Sequence, residues 1–262
     1  MKKIFVTGGT GFIGRGVVEQ LKRKGHHVEL LKSRLADFSA VRRQLMRFKP
    51  EVVICLAWEG LPDYSARMSA KNLVEGLNIF MLLAELGVPK VVGVGTCWED
   101  ERINTGPRSY MLAKNTLRMF GEDLFRDRGT TFIWTRPYFV YGIGKPERSL
   151  FQSLIRQARK GKTPKATHDV WNDFVYVDDV AEALVFLATR HVPAKIYDIG
   201  SGTLTRTGSI AQFIAQEFGL PFKKLSAQRP RGFQANIRPL RMLGWKPRTT
   251  IEQGIKKMLQ QL

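Results

Sequence analysis

Three side chains in the middle of the sequence have the types and the spacing needed to move a proton. Tyr110 and Lys114 are four residues apart, so a helix places both on one face. A phenol has an ordinary pKa of about 10, and a neighbouring ammonium lowers this pKa, which lets the phenol exchange a proton near neutral pH. Thr96 ends an apolar, strand-like run, where its hydroxyl can hydrogen-bond the same substrate oxygen. Because Tyr/Lys pairs are common on helices, the prediction that Thr96, Tyr110 and Lys114 are catalytic depends on the elements around them.

A glycine-rich turn near the amino terminus has the spacing of a phosphate-binding loop. It follows an apolar run and precedes an amphipathic stretch. Gly8 allows a tight turn, Gly11 lets a pyrophosphate approach the backbone, and Gly14 lets the helix pack closely on the strand. The amino terminus of the helix adds N–H groups and the positive end of the helix dipole. The pattern predicts a dinucleotide-binding loop made by Gly8, Gly11, Phe12, Ile13 and Gly14.

The end of the second predicted strand indicates which dinucleotide binds. An enzyme that uses NAD usually ends this strand with an acidic residue that accepts a hydrogen bond from the ribose 2′-hydroxyl. Here the strand ends in Lys32, Ser33 and Arg34, and Glu29 lies too early to reach the ribose. Cations suit a dianionic 2′-phosphate, so we expect NADP(H) to be preferred, with NAD(H) possible. The alternative is that these are two surface cations of a basic chain.

Strands alternate with helices over the first half of the chain, which predicts parallel βαβ units. Periodicity and Gly or Pro stops predict strands at residues 2–6, 27–31, 52–56, 90–94 and 131–135, and helices ending near 24 and covering 38–48, 66–86 and 109–128. The later part is less regular, with predicted helices at 149–160, 180–189, 209–218 and 251–259 and strands at 174–177 and 196–199.

These elements predict an α/β fold, a Rossmann doubly wound parallel sheet with a small C-terminal substrate lobe. The predicted dinucleotide-binding domain covers residues 1–142. Residues 143–262 form mostly the substrate-binding lobe, with segments around 174–200 returning to the Rossmann sheet.

Composition narrows the function classes. The 262 residues are 44% hydrophobic, and no apolar run is long enough to span a bilayer. Two cysteines without metal-ligand spacing indicate reduced thiols, a cytoplasmic setting and no metal site. The net charge of +19 is scattered over helical faces rather than concentrated in one block. We interpret it as solvated surface that attracts an anionic cofactor and substrate, and a nucleic-acid partner is disfavoured.

The chain resembles the extended short-chain dehydrogenases/reductases of the NAD-dependent epimerase/dehydratase type. The resemblance covers nearly the whole chain and rests on the glycine loop, Gly95-Thr96-Cys97, the Tyr110/Lys114 pair and four further segments at 72–76, 136–142, 173–179 and 243–247. It implies a nucleotide-sugar substrate, and a homodimer paired through the helices near 66–86 and 107–128. It also implies that Lys114 holds the nicotinamide ribose. The other cofactor contacts that we predict are Leu35, Leu56, Ala57, Trp58, Asn72, Pro137, Tyr138 and Val140.

The residues after Thr96 help to separate the reactions of this family. Its 4,6-dehydratases carry an Asp-Glu pair directly after the catalytic threonine, whereas this chain has Cys97 and Trp98, with Glu99 and Asp100 too far on. Dehydration is therefore disfavoured. The basic end of strand two favours an NADPH-dependent reductase, similar to the 4-keto-sugar reductases that make deoxysugars. A nucleotide-sugar epimerase, and a dinucleotide-binding sensor or RNA-associated protein without turnover, remain open alternatives.

Substrate contacts are the least constrained predictions. Cys97 is either an additional acid/base or a packed side chain. Trp58 either stacks on a sugar or cofactor or packs at the rim. Trp98 follows Cys97, and Arg229 and Arg231 resemble the family's pyrophosphate-binding arginines. In a chain this basic, the two arginines are equally well explained as solvated surface.

Overall fold

The predicted alternation of strands and helices is present in the computed structural model, which describes residues 1–100, 102–103, 106–144, 149–222, 225–226 and 229–260. Its strands are β1 Lys3–Thr7, β2 His27–Leu30, β3 Val52–Cys55, β4 Lys90–Val94, β5 Thr131–Pro137, β6 Phe139–Tyr141, β7 Trp171–Tyr176, β8 Ile196–Ile199, β9 Leu204–Arg206 and β10 Gly232–Phe233. Its helices are α1 Phe12–Arg23, α2 Phe38–Phe48, α3 Ala66–Glu85, α4 Arg108–Arg126, α5 Leu150–Arg159, α6 Val177–Thr189, α7 Thr207–Glu217, α8 Arg238–Met242 and α9 Ile251–Gln260.

The chain divides into two compact units. The first consists of Met1–Pro137 with Ala181–Asp198, and the second of Tyr138–Val180 with Ile199–Leu262. The assignment of dinucleotide binding to the first and of substrate binding to the second remains a prediction.

The first unit contains a six-stranded sheet with the strand order β2-β1-β3-β4-β5-β8. The pairs β1–β2, β1–β3, β3–β4 and β4–β5 are all parallel. Strands of such a sheet are covered on both faces, which explains why β1 and β3 are continuous apolar runs with buried side chains. The α/β fold with a parallel Rossmann-type sheet is therefore confirmed.

In the second unit, a four-stranded sheet joins β10, β7 and β6 in parallel, and β9 pairs with β7 in antiparallel fashion. The buried carboxylate of Asp173 on β7 fastens two loops. It accepts hydrogen bonds from the backbone and hydroxyl of Ser201, and from the backbone N–H groups of Gly202 and Ala235. The Asp173 side chain thus joins two segments that are far apart in sequence, 201–202 and 235, to β7.

The differences from the predicted elements lie mainly in the second half. β5 continues two residues further than predicted, and α6 begins three residues earlier. β7 belongs to the four-stranded sheet, so the predicted return of the segment 174–200 to the Rossmann sheet is made by β8 and not by β7. The short elements β6, β9, β10 and α8 were not predicted, because two to five residues carry no measurable periodicity.

Candidate active site

The glycine loop lies where the strand order of the six-stranded sheet reverses, between β1 and β3. Ligands of doubly wound sheets bind at this point, outside the carboxyl ends of the strands. The loop is packed against the residues that follow β3: Thr7 Oγ1 accepts a hydrogen bond of 3.1 Å from the Ala57 N–H, and Leu56 N donates to Thr7 O. Gly8 has a φ of +68°, and a Cβ there would lie 2.7 Å from Ala57 N. A Cβ on Gly14 would lie 2.2 Å from Gly8 O, so both positions require glycine.

The start of α1 suits the pyrophosphate of a dinucleotide. Gly11 precedes the helix and provides no side-chain cap, and the first turn contains no acidic residue. The positive end of the helix dipole is therefore not neutralised from within the helix. Phe12 and Ile13 are half-buried in this first turn, and Arg15 Nε donates to Thr10 O across the loop. These residues fit a nicotinamide dinucleotide.

The end of β2 has the charge that the sequence predicted. Lys32 and Arg34 are exposed, while Leu35 is buried in the hydrophobic core. The Glu29 carboxylate accepts hydrogen bonds from Gln44 and Arg47, both of 2.7 Å, so protein partners already neutralise it. The Ser33 hydroxyl is buried and has no hydrogen-bond partner within the described residues. A polar ligand group would satisfy it.

The structure brings Thr96, Tyr110 and Lys114 together. Thr96 follows β4, and the other two lie in the first two turns of α4; all three are buried. A hydrogen bond links the hydroxyls of Thr96 and Tyr110. Lys114 Nζ donates a hydrogen bond of 2.7 Å to the carbonyl of Val94. Two hydroxyls and one amine thus converge at the carboxyl end of a central strand, as acid/base chemistry on one oxygen requires.

Aromatic rings surround Tyr110. Its ring contacts Trp58, Tyr64 and Trp98 edge to face, with centroids 5.3, 5.1 and 6.0 Å away. The Lys114 ammonium lies 3.9 Å from the centroid of the Trp58 ring, within cation–π distance. Trp58 thus packs on two predicted catalytic residues, and its buried indole N–H has no partner in the part of the chain that the structure describes. Tyr64 was not predicted, because nothing in its sequence context marks it.

The pKa of Tyr110 differs from the sequence-based expectation. Burial raises the pKa of Tyr110, and the nearby Tyr64 and Glu99 raise it further, while the hydrogen bond with Thr96 lowers it. Burial lowers the pKa of Lys114, and Glu99 opposes that shift. The expectation that Lys114 brings the pKa of Tyr110 below 10 is therefore wrong for this structure, because desolvation is the larger effect.

Glu99 is a site residue that we dismissed from the sequence as being too far from Thr96. Its Oε1 accepts a hydrogen bond of 2.6 Å from Thr96 N, and its Oε2 accepts one of 2.7 Å from Trp134 Nε1. A Cβ on Gly95 would lie 2.0 Å from the Glu99 carboxylate, so glycine is needed to admit it. Residues 96–99 have the Thr-x-x-Glu pattern of a capping box, a sequence signal that could have identified this contact.

The remaining predicted residues include a buried thiol, a hydrogen-bonded amide and several residues of the second unit. Burial raises the pKa of the Cys97 thiol to about 12, which favours a packed, protonated side chain over an additional acid/base. The Asn72 side chain is buried and hydrogen-bonds the backbone of Glu59 and of Met68. The others lie as follows: Pro137 ends β5, Tyr138 and Val140 lie in the second unit, and Arg229 and Arg231 are exposed there.

Comparison with known proteins identifies the family. The model of the NAD dependent epimerase/dehydratase family matches residues 4–200. The chain belongs to this family. It is 24% identical to GDP-L-fucose synthase of Sinorhizobium fredii, over 98% of this chain and 94% of that protein. It is also 24% identical to dTDP-L-rhamnose 4-epimerase of Burkholderia thailandensis, with the same two coverages. UDP-glucose 4-epimerase of Thermotoga maritima, solved with UDP-glucose, superposes with a TM-score of 0.83 at 22% identity, over 98% of this chain and 97% of that one.

Membership confirms the resemblance that the motifs indicated. The chain is an NAD(P)-dependent oxidoreductase or epimerase of the epimerase/dehydratase family. Within the described residues, no helix is long and apolar enough to cross a membrane.

Proposed function

We propose that this enzyme reduces a 4-keto nucleotide sugar with NADPH, in the biosynthesis of deoxysugars or surface polysaccharides. The observation that carries the proposal is the buried group of Thr96, Tyr110 and Lys114 beside a dinucleotide loop whose neighbouring strand ends in cations. The similarity to a GDP-L-fucose synthase over nearly the whole chain supports a nucleotide-sugar substrate.

Tyr110, Thr96 and Lys114 have separate roles in the proposed carbonyl reduction. Tyr110 donates its hydroxyl proton to the oxygen of the substrate ketone, and Thr96 donates a hydrogen bond to the same oxygen. Lys114 holds the nicotinamide ribose and places a positive charge next to the developing alkoxide. A bound NADPH supplies the hydride. The surrounding rings of Trp58, Tyr64 and Trp98 exclude water, which strengthens each of these interactions.

The cofactor is held by two groups of residues in this proposal. The glycine loop and the first turn of α1 bind the pyrophosphate through backbone N–H groups. Lys32 and Arg34 bind the 2′-phosphate, and the Ser33 hydroxyl, buried and without a protein partner in the described residues, donates to it. The preference for NADP(H) over NAD(H) follows from these three side chains.

The second unit contains a cavity of about 410 Å³, lined by residues of α5, β6 and β7 and by the segment 165–170, and we propose a nucleotide as its ligand. Phe139 and Phe174 line this cavity and are proposed to contact the base, and Asn172 and His168 supply hydrogen-bonding groups to the lining. Arg229 and Arg231 are exposed in the same unit and are proposed to bind the diphosphate.

A nucleotide-sugar 4-epimerase is the second candidate, favoured by the similarity to dTDP-L-rhamnose 4-epimerase. The same threonine, tyrosine and lysine serve both reactions, because an epimerase oxidises and then re-reduces one carbon. The two candidates differ in cofactor use. A reductase consumes one NADPH per product, whereas an epimerase returns the cofactor to its starting state.

We also propose a homodimer formed through α3 and α4. Apolar side chains seven residues apart are exposed on each helix: Val74 and Met81 on α3, and Leu112 and Met119 on α4. Such aligned apolar side chains on a helix surface indicate a buried partner face, and a second copy of the chain would cover them. A cytoplasmic location, inferred from the two unpaired cysteines, stays a prediction.

The test is to incubate the purified enzyme with NADPH and a panel of GDP-, dTDP- and UDP-linked 4-keto-6-deoxysugars. NADPH oxidation in one-to-one ratio with reduced sugar supports the reductase. Conversion of a 4-hydroxy nucleotide sugar into its 4-epimer without net change in cofactor supports the epimerase instead. If neither reaction occurs while the dinucleotide binds and a salt-sensitive RNA complex forms, the enzyme proposal fails in favour of a binding protein.

A further inference from the structure

We propose that Glu99 is a positioning residue of the catalytic group, whose buried carboxylate fixes Thr96 and keeps the Lys114 ammonium protonated beside Tyr110. This inference rests on the proposed function for its catalytic meaning, while its electrostatic part can be measured without any substrate. Glu99 itself transfers no proton in the proposed reduction and contacts neither substrate nor cofactor.

The Glu99 site is built around the carboxylate. The side chain is only 1% exposed, and each oxygen has a short hydrogen bond, one to Thr96 N and one to the Trp134 indole. Gly95 leaves the space that the carboxylate occupies. A buried charge is costly unless it is paired and hydrogen-bonded, so this arrangement needs a compensating cation.

Lys114 and Arg118 are the two compensating cations. Burial raises the pKa of Glu99 to about 7; the attraction of Lys114 is the largest effect that lowers this pKa, and Arg118, whose Nε lies 4.0 Å from Glu99 Oε2, adds a smaller one. The dependence is mutual, because Glu99 is the principal group that keeps the pKa of the fully buried Lys114 from falling further. The Lys114 hydrogen bond to Val94 O and the Glu99 hydrogen bond to Thr96 N tie both charges to the same end of β4.

The other titratable groups around the pair do not replace this interaction. Tyr110 on α4 and Cys97 beside Thr96 act on Glu99, and Cys55 at the end of β3 acts on Lys114. Burial raises the pKa of both thiols to about 12, so both are neutral at working pH. Among the described residues, Glu99 is the only carboxylate that raises the pKa of Lys114, so removing its charge leaves the buried ammonium without that support.

The test is the titration of Lys114 in the full-length protein, followed through the ¹⁵N-labelled Nζ signal by NMR and assigned by its loss in Lys114→Met. In Glu99→Gln the pH at which the ammonium signal disappears is expected to fall by about one unit or more. Glu122→Gln is the matched control, because Glu122 pairs with Arg118 but is itself partly exposed and is not among the groups that act on Lys114. In Glu122→Gln the titration midpoint of Lys114 is expected to equal that of the wild type.

Turnover provides the second readout. Glu99→Gln is expected to move the alkaline limb of the kcat profile to lower pH, since less Lys114 is charged at a given pH. A purely structural role would lower kcat equally across the profile. Glu99→Asp keeps the charge but withdraws it by one methylene, so its shift is smaller, and it carries the test if Glu99→Gln does not fold.

An unchanged Lys114 midpoint in a folded Glu99 variant overturns the proposal. Absence of turnover with every keto sugar, alongside a shifted midpoint, instead overturns the proposed function and leaves the coupling of Glu99 to Lys114 intact.

Discussion

At the scale of single residues, the charge at the end of β2 and the burial of Tyr110 decide what the candidate site is expected to bind. Glu29 is engaged by Gln44 and Arg47, so the only side-chain charges at the end of β2 left to meet a ligand, among the described residues, are the exposed Lys32 and Arg34. Around Tyr110, burial makes ionisation unfavourable and keeps the phenol protonated. A protonated tyrosine is the form that a ketone reduction needs, because the reaction consumes a proton at the oxygen.

The first prediction concerns cofactor choice. Lys32→Ala and Arg34→Ala are each expected to weaken NADPH binding about tenfold or more, because each removes a charge-assisted bond to the 2′-phosphate. NADH binding should stay the same in both variants. Lys22→Ala, on the last turn of α1, is the control and should change neither affinity. Intrinsic fluorescence titration measures all of these, and a wild-type protein that binds NADH as tightly as NADPH contradicts the assignment.

The sequence predicts best which residues come together through local spacing, while their catalytic and binding roles stay predictions. The glycine loop and the Tyr110/Lys114 pair follow from distances of three or four residues along one element, and the structure brings the pair together with Thr96. The partners Trp134 and Tyr64 could not be predicted, because their contacts cross from one element to another. Glu99 lies between these two cases. The Thr-x-x-Glu pattern of residues 96–99 predicts its capping contact with Thr96, although the same spacing places Glu99 too far along the chain for a dehydratase acid/base.

At the scale of elements, the short strands of the second unit are held together by the hydrogen bonds of a buried polar side chain, Asp173. β6, β9 and β10 are two or three residues long, so their hydrogen bonds alone give little stability. The carboxylate of Asp173 holds the loop after β8 and the loop after β10 against β7. These pairings could not be predicted from the sequence, because strands this short carry no period and their partners are distant along the chain.

The second prediction tests this anchor. In Asp173→Asn one of the two oxygens becomes an NH2 group, so either the Gly202 and Ala235 N–H groups or the Ser201 N–H and hydroxyl lose their acceptor. The free energy of unfolding is expected to fall by about 2 kcal/mol or more. Asp178→Ala, at an exposed position on α6, should change it by less than about 0.5 kcal/mol. Urea denaturation followed by circular dichroism gives both values, and an equal effect of the two substitutions would contradict the anchoring role.

At the scale of the whole molecule, two surface properties bear on association with other molecules: the net charge of +19 and the exposed apolar side chains of α3 and α4. Scattered positive charge raises the local concentration of anionic nucleotides and accelerates their association at low salt. The exposed apolar side chains indicate a protein interface, because leaving them in contact with water is unfavourable. They are Val74, Met81, Leu112 and Met119. Pairing of two copies through these helices would bury them.

The third prediction concerns this assembly. Met119→Glu places a charge in the proposed interface and is expected to weaken dimerisation about 30-fold or more. Met242→Glu changes an even more exposed methionine on α8 and should leave the assembly unchanged. Light scattering coupled to size exclusion at micromolar concentration measures both. A wild-type protein that is monomeric under these conditions rejects the homodimer.

The central claim is that Tyr110 donates the proton in a ketone reduction, and single-turnover oxidation of NADPH by a 4-keto nucleotide sugar tests it most directly. Tyr110→Phe is expected to slow this step by roughly 10²–10⁴-fold, with cofactor affinity unchanged, because it removes the general acid and little else. Thr96→Val should cost less, and Lys114→Met should lower both rate and affinity. Tyr64→Phe removes the neighbouring hydroxyl and should stay within a few-fold of the wild type. Near-normal turnover in Tyr110→Phe would contradict the account.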